Sequence, residues 1–182
     1  MKILELIQDK LADISKFNDI VFIGYNTACA PRIHGTLNKV PVNKCIETPV
    51  AENLMMGLAI GMSLDSMYPI VCFERMDFIT VAIDAIVNHL DKLPKLSGDQ
   101  FKLPMIIRCC IGNKDPLDPG IQHTQNLIHL LQCSNISMYN CKEADDLRVI
   151  YSNIDKLDKT SCPILIVEHK EHYNVPISSG GK

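Results

Sequence analysis

Apolar positions along the chain alternate between two kinds of pattern. ILELIQDKLADI carries apolar residues at 3, 4, 6, 7, 11 and 14, the stripe of an amphipathic helix. DIVFIGYN (19–26) is a short continuous apolar run that ends in Gly and Asn, which predicts a buried strand and a loop. Residues 27–46 look irregular, with Pro31, Gly35, Asn38, Pro41 and Asn43 spread through them. A helix is expected over 49–65 and a strand over 68–73, YPIVCF. FITVAIDAIVNHLDKL (78–93) puts Ile79, Ile83, Ile86, Leu90 and Leu93 on one stripe and predicts a second amphipathic helix. LPMIIRCCIG (103–112) is a strand, and the polar loop NKDPLDPGIQ leads into an expected helix over 123–132. A strand over 135–140, a helix over 143–157 and a strand over 162–170 complete the series. The segment 171–182, with SSGGK at its end, reads as a tail after a domain spanning 1–170.

Strands that are continuously apolar, set between helices, predict an α/β fold: a doubly wound parallel sheet covered on both faces. In such sheets ligands sit beyond the carboxyl ends of the strands. The loops at 27–46, 74–77 and 111–122 are therefore where chemistry is expected.

Composition narrows the field further. With 182 residues the chain can bury a core of ordinary size. A net charge of −3 leaves no basic footprint for nucleic acid. No apolar run reaches the ~18 residues of a membrane helix. The N-terminus lacks the pattern of a secretory signal, so a cytoplasmic protein is expected. None of the eight cysteines forms a CxxC pair, and several lie in apolar runs. They read as reduced, buried thiols, not as disulfides or a zinc site.

One carboxylate stands out. Glu52 opens the nearly all-apolar stretch ETPVAENLMMGLAIGM. Thr48-Pro49 looks like a helix start, a hydroxyl cap followed by proline. A capping box would place its acid at Ala51, so Glu52 is one residue out of register. Two readings stay open. Glu52 could serve the helix dipole, worth ~0.3–1 kcal/mol. Alternatively, because Met56, Ala59 and Ser63 share its face, it is buried and needs a partner that the helix does not supply.

Taken together, the TP-x-x-E helix start, the glycine-bearing helix, YPI, F-x-x-x-DF, AIDAIVNH, SGDQF, the arginine of MIIR and then QHTQ occur in one order over residues 1–170. This ordered set resembles the pyrimidine-binding domain of thiamine diphosphate-dependent enzymes of the transketolase superfamily. Within it, the likeness is to the beta subunit of the 2-oxo acid (pyruvate and branched-chain) dehydrogenase first component. The resemblance implies that Glu52 hydrogen-bonds N1′ of the cofactor's aminopyrimidine and so works in its proton relay. It implies that Phe78 packs on the pyrimidine ring and that His123 meets substrate or acyl group; the plain alternatives are a core phenylalanine and a surface capping histidine.

Two departures qualify that resemblance. The loop before His123 is longer and less glycine-rich than the family's, and it carries Lys114, Asp115 and Asp118. Glu74 stands where the family has an apolar residue near the pyrimidine, so it either alters those contacts or points away. The GDG motif and later asparagine that hold the diphosphate through Mg²⁺ are absent from the sequence. A partner subunit carrying that motif is therefore expected, in a heterotetramer of two such chains and two partners, with no nucleic acid or membrane involved. The family's C-terminal third domain has no counterpart either, which favours a free-standing split enzyme. The implied chemistry is cleavage or formation of a C–C bond beside a carbonyl of a small-molecule substrate. Decarboxylation of a 2-oxo acid, with or without acyl transfer or carboligation, comes first. Ketol transfer, a non-catalytic scaffold role and an unrelated small-ligand domain are the alternatives.

Overall fold

The computed structural model describes residues 1–156 and 162–177. Six strands form one all-parallel sheet: β1 (Ile20–Gly24), β2 (Cys45–Glu47), β3 (Tyr68–Phe73), β4 (Ile106–Ile111), β5 (Ser137–Cys141) and β6 (Ile164–His169). Their spatial order is β2-β1-β3-β4-β6-β5. The helices are α1 (Ile3–Ile14), α2 (Glu52–Leu64), α3 (Leu93–Leu96) and α4 (Ala144–Ser152). Every residue of β1, β3 and β4 is buried, which is why these segments read as continuous apolar runs.

Alternate residues of each strand serve opposite faces. On one face Phe22, Ile70, Cys72, Ile106 and Ile166 pack with Ile3, Ile7 and Leu11 of α1 and Leu147 and Tyr151 of α4. On the other, Ile23, Val71, Phe73, Ile107 and Leu165 meet Met55, Met56 and Ala59 of α2 and Ile79, Ile86 and Leu90 of the segment after β3. The α/β class and the parallel sheet follow the pattern read from the sequence. No helix among the described residues is long and apolar enough to cross a membrane. All eight cysteines are free thiols. Burial pushes Cys72 up to about 11 and Cys110 up to about 12.

Several elements differ from the sequence expectation. β2 lies inside the stretch expected to be irregular. It is three residues long, at the sheet edge and only partly buried, so it leaves no periodic signal. The helix expected from Pro49 begins at Glu52. Thr48 does not cap it, because the Thr48 N–H donates to the Gly24 carbonyl (3.1 Å), which keeps the chain extended along β1. The amphipathic segment 78–93 is not a regular α-helix. It runs as a 3₁₀ helix over Met76–Ala82 and a π-helix over Ala85–Leu90. Its β-branched residues at 79–81, 83 and 86–87 crowd a regular helix, while the altered winding keeps Ile79, Ile86 and Leu90 on the sheet.

The helix expected over 123–132 is two separate 3₁₀ turns, Ile121–His123 and Ile128–Leu130. Between them Asn126 turns its side-chain carbonyl onto the Ile128 N–H (3.2 Å), a local bond that competes with helix. Residues 171–177, expected to be part of a loose tail, are docked. Leu4 N–H donates to the Tyr173 carbonyl (2.9 Å), Ile3 N–H to the Val175 carbonyl (3.1 Å), and Tyr173 is buried. The SSGGK end of that tail lies outside the described residues.

The face covered by α1 and α4 holds a fully buried ion pair. Arg108 of β4 grips Glu168 of β6 with two bonds, Nε to Oε1 (2.7 Å) and Nη2 to Oε2 (3.1 Å). Tyr151 and Tyr173 each donate a hydroxyl to the same carboxylate at 2.5 Å. Burial holds both phenols well above their ordinary range, so they remain protonated donors. A carboxylate satisfied on all sides is structural, and removing one partner strands the other charge. Arg108→Met is therefore expected to cost about 3–5 kcal/mol, read as a fall in the urea midpoint at constant slope. Tyr173→Phe, which removes one of the four bonds, is expected to cost less, about 1–3 kcal/mol.

Candidate active site

The strand order reverses between β1 and β3, because the chain leaves β1 for β2 on one side and returns to β3 on the other. The crevice at the carboxyl ends of these strands is the usual ligand position in an open α/β sheet. Four neighbouring strands, β2, β1, β3 and β4, deliver their exits there. Glu52 follows β2, Glu74 to Phe78 follow β3, and His123 follows β4 across the polar loop.

Glu52 is the first residue of α2 and only 4% exposed. Its carboxylate has no hydrogen-bond donor among the described residues. The Thr48 hydroxyl in the same connection is buried and also without a partner. Tyr25, just past β1, is close enough to feel this charge. Burial first, then the Glu52 and Glu74 carboxylates, push its phenol far above the ordinary range. Buried polar groups are nearly always paired, so a buried carboxylate left over by the protein is suited to a donor from a ligand. The dipole of α2 favours a negative charge at this end as well. The chain thus supplies both features weighed at Glu52, burial and a helix start.

Phe78 and His123 are brought together. Their rings meet edge to face with centroids 5.7 Å apart and planes at 90°. Two tethers hold the histidine in place. The Gly112 N–H donates to the His123 carbonyl (2.9 Å), and Asp77 Oδ1 accepts from the Gln125 side chain (3.0 Å). A side chain at position 112 would overlap the His123 carbonyl, so glycine is required for this close approach. His123 Nδ1 and Asp77 Oδ2 are buried without hydrogen-bond partners, two more polar atoms left for something else. The turn bearing Phe78 packs against α2, and all three expected residues follow the carboxyl ends of neighbouring strands.

Glu74 does not point away. It is half-buried and accepts from the Asn26 amide (3.1 Å), and its Oε1 lies 3.8 Å from His34 Nδ1. Lys114 and Asp115 are exposed on the loop, and Asp118 caps the turn by accepting the Gly120 N–H (2.8 Å).

Sequence reasoning missed several residues. Glu47 gathers the β1 exit loop, accepting from the N–H groups of Asn26 (2.6 Å) and Ala28 (2.7 Å) and from the Thr27 hydroxyl (3.2 Å). Burial raises its carboxyl, but these donors outweigh that and hold it below the ordinary carboxylate range. His34 and Arg75 lie in the loops 27–46 and 74–77 that the strand ends single out, but nothing in the sequence marked these two side chains within them.

Comparison with known proteins agrees with this layout. Residues 15–176 match the family described as transketolase, pyrimidine binding domain. The pyruvate dehydrogenase E1 component subunit beta of Chaetosphaeridium globosum is 30% identical over 133 residues, covering 72% of this chain and 39% of that one. The same subunit from Chlorokybus atmophyticus is 28% identical over 142 residues, covering 78% and 41%. This chain therefore spans about two fifths of the length of these relatives. Among solved structures, one titled split gene transketolase, inactive beta4 tetramer, superposes with a TM-score of 0.67 at 16% identity, covering 99% of this chain and 54% of that one. A transketolase mutant from Pichia stipitis gives 0.66 at 16% identity, covering 99% and 27%. These two establish likeness of fold. The family match over nearly the whole described chain shows that this protein belongs to the transketolase pyrimidine-binding domain family.

Proposed function

We propose that this chain is the pyrimidine-binding, beta-like half of a two-polypeptide thiamine diphosphate enzyme. Its reaction is cleavage or formation of the C–C bond beside a carbonyl, with decarboxylation of a 2-oxo acid as the first reading. The observation that carries the proposal is the buried Glu52 carboxylate. It has no donor within the described chain and lies on the same edge as the Phe78–His123 pair. Thiamine diphosphate, when bound, supplies an acidic carbon that attacks the carbonyl and stores the resulting electron pair.

This chain's residues fit the aminopyrimidine half. Glu52 accepts or donates a proton at N1′, which requires a carboxyl shielded from water and free of protein donors. Phe78 offers an apolar face to the ring. His123 is held against Phe78 by Gly112 and the Asp77–Gln125 tether, with Nδ1 free to bond substrate. Tyr25 stays protonated, because burial and the Glu52 and Glu74 carboxylates oppose its ionisation.

The diphosphate half requires a magnesium site. Among the described residues no cluster of three or more histidines, cysteines or acids could hold a metal ion. In this reading a partner subunit bearing a GDG…N motif holds Mg²⁺ and the diphosphate, in a heterotetramer of two chains of each kind. An exposed apolar stripe on α2 supports a partner there. Leu54 (52% exposed) and Leu64 (43%) flank Gly57 and Gly61, whose α-carbons face open space, and Val50 (72%), just before the helix, is exposed as well.

Glu52→Gln keeps the shape but removes the proton handle. In the enzyme reconstituted with its partner it is expected to lower turnover by about 10²–10⁴-fold with an unchanged circular dichroism spectrum; near-normal turnover overturns the assignment. Turnover by the partner alone, with this chain omitted, would replace the catalytic reading with a scaffold role.

A further inference from the structure

Arg75 is a cation without a counter-charge at the mouth of this site. It is half-buried, and among the described residues it has no carboxylate partner. Its one hydrogen bond there joins Nη1 to His34 Nε2 (2.9 Å). That leaves most of the five N–H donors of the guanidinium unused. The group lies beside the chain that carries the histidine: a methyl placed on Gly112 would sit 3.5 Å from Arg75 Nη1 and against the His123 carbonyl.

His34 is built to hold Arg75. Its imidazole is 6% exposed and sits between the two neighbouring side chains of β3's exit. Glu74 Oε1 is 3.8 Å from Nδ1, and Arg75 Nη1 is on Nε2. The Glu74 carbonyl is also 3.1 Å from Nε2, so a ring nitrogen that accepts from Arg75 cannot donate to that carbonyl. Burial, then the Arg75 charge, lowers the readiness of His34 to take a second proton; the Glu74 carbonyl and carboxylate oppose this and Lys170 adds to it, with the net shift downward. A neutral imidazole with Nδ1–H toward Glu74 accepts from Arg75 and leaves the guanidinium its full charge.

The backbone that aims His34 is costly. Arg32, Ile33 and His34 have φ of +51°, +50° and +55°, three successive left-handed residues with no glycine among them. Each such residue costs roughly 1–2 kcal/mol. Ile33 buried in the core and the Arg32 guanidinium on the Thr27 (2.9 Å) and Val40 (2.9 Å) carbonyls hold the turn in place. Strain maintained in this way beside a ligand crevice is a mark of positioning.

We propose that Arg75 is the substrate-recognising residue of this site, gripping the oxyanion head group of the substrate, with His34 and Glu74 as positioning residues. The shared chemistry is a planar or tetrahedral oxyanion that a guanidinium bonds through two N–H groups. Its source is either the carboxylate of a 2-oxo acid or the phosphate of a sugar phosphate. This rests on the thiamine diphosphate reading for its substrate, but not for the anion site itself.

The test follows three signals by NMR in the full chain: the Arg75 side-chain Nε–H, the neighbouring Gly112 backbone N–H, which survives substitution at 75, and the Glu52 backbone N–H. Pyruvate, fructose 6-phosphate and thiamine are added separately, against sodium chloride at equal ionic strength. Pyruvate is expected to shift Arg75 and Gly112 saturably where chloride does not, with the Gly112 shift lost in Arg75→Met and binding, read at Gly112, weakened about tenfold in Arg75→Lys. His34→Gln is expected to weaken pyruvate binding less than Arg75→Met does. A shift with fructose 6-phosphate alone supports the oxyanion site and assigns it to a phosphate. If thiamine moves Glu52 while neither anion moves Arg75, the inference is overturned and the cofactor reading stands. If an anion moves Arg75 and thiamine leaves Glu52 unmoved, the anion site stands and the cofactor reading fails. Silence from all three ligands overturns both.

Discussion

Burial of both faces of a single parallel sheet is the constraint on which everything else in this protein depends. The inner strands β1, β3, β4 and β6 are almost wholly buried, so they leave little room for exposed chemistry along their length. Polar work is confined to the loops at the strand ends. The order β2-β1-β3-β4-β6-β5 then gathers the exits of four neighbouring strands at one edge. Glu52, the Arg75–Phe78 turn and His123 come from three different connections and lie at that edge because the sheet leaves little room for them elsewhere.

Two buried carboxylates show how the fold separates support from function. Glu168 accepts two bonds from Arg108 and one each from Tyr151 and Tyr173. All of its capacity is used, and it ties β4 to β6 and the docked C-terminal segment to both. Glu52 is nearly as buried but receives no donor from the described chain. A carboxylate that the protein itself leaves without a donor is open to one from a ligand. Thr48, Asp77 and His123 add orphaned buried polar atoms along the same edge. The two differ in how many donors the protein provides, which is why Glu168 is structural while Glu52 is the carboxylate proposed to act on a ligand.

The main elements were legible because their patterns are strong. β1 and β3 are uninterrupted apolar runs, β4 and β6 are apolar but for Arg108 and the Glu168–His169 end, and α1 is a clean amphipathic stripe. What was not legible had local causes. β2 is too short to show a period. The segment after β3 carries a helical stripe, but its β-branched residues and its role at the crevice turn it into 3₁₀ and π windings. Thr48-Pro49 has the chemistry of a helix start, yet a single bond to the Gly24 carbonyl across the sheet edge outweighs it. The segment 171–177 looks featureless in sequence and is fixed by Tyr173 reaching Glu168.

By itself, the sequence determined the fold class and singled out the strand-end loops, with Glu52, Phe78 and His123 as the residues expected to matter there. It could do so because burial and spacing are written locally. Only the tertiary structure decided that Phe78 and His123 touch, that Gly112 permits it, and that Glu74 faces inward. It alone brought His34, 41 residues before Arg75 in the chain, onto the guanidinium. The physical reason is that a left-handed turn held by distant carbonyls and a core isoleucine aims that histidine, and no periodicity records contacts across such a separation.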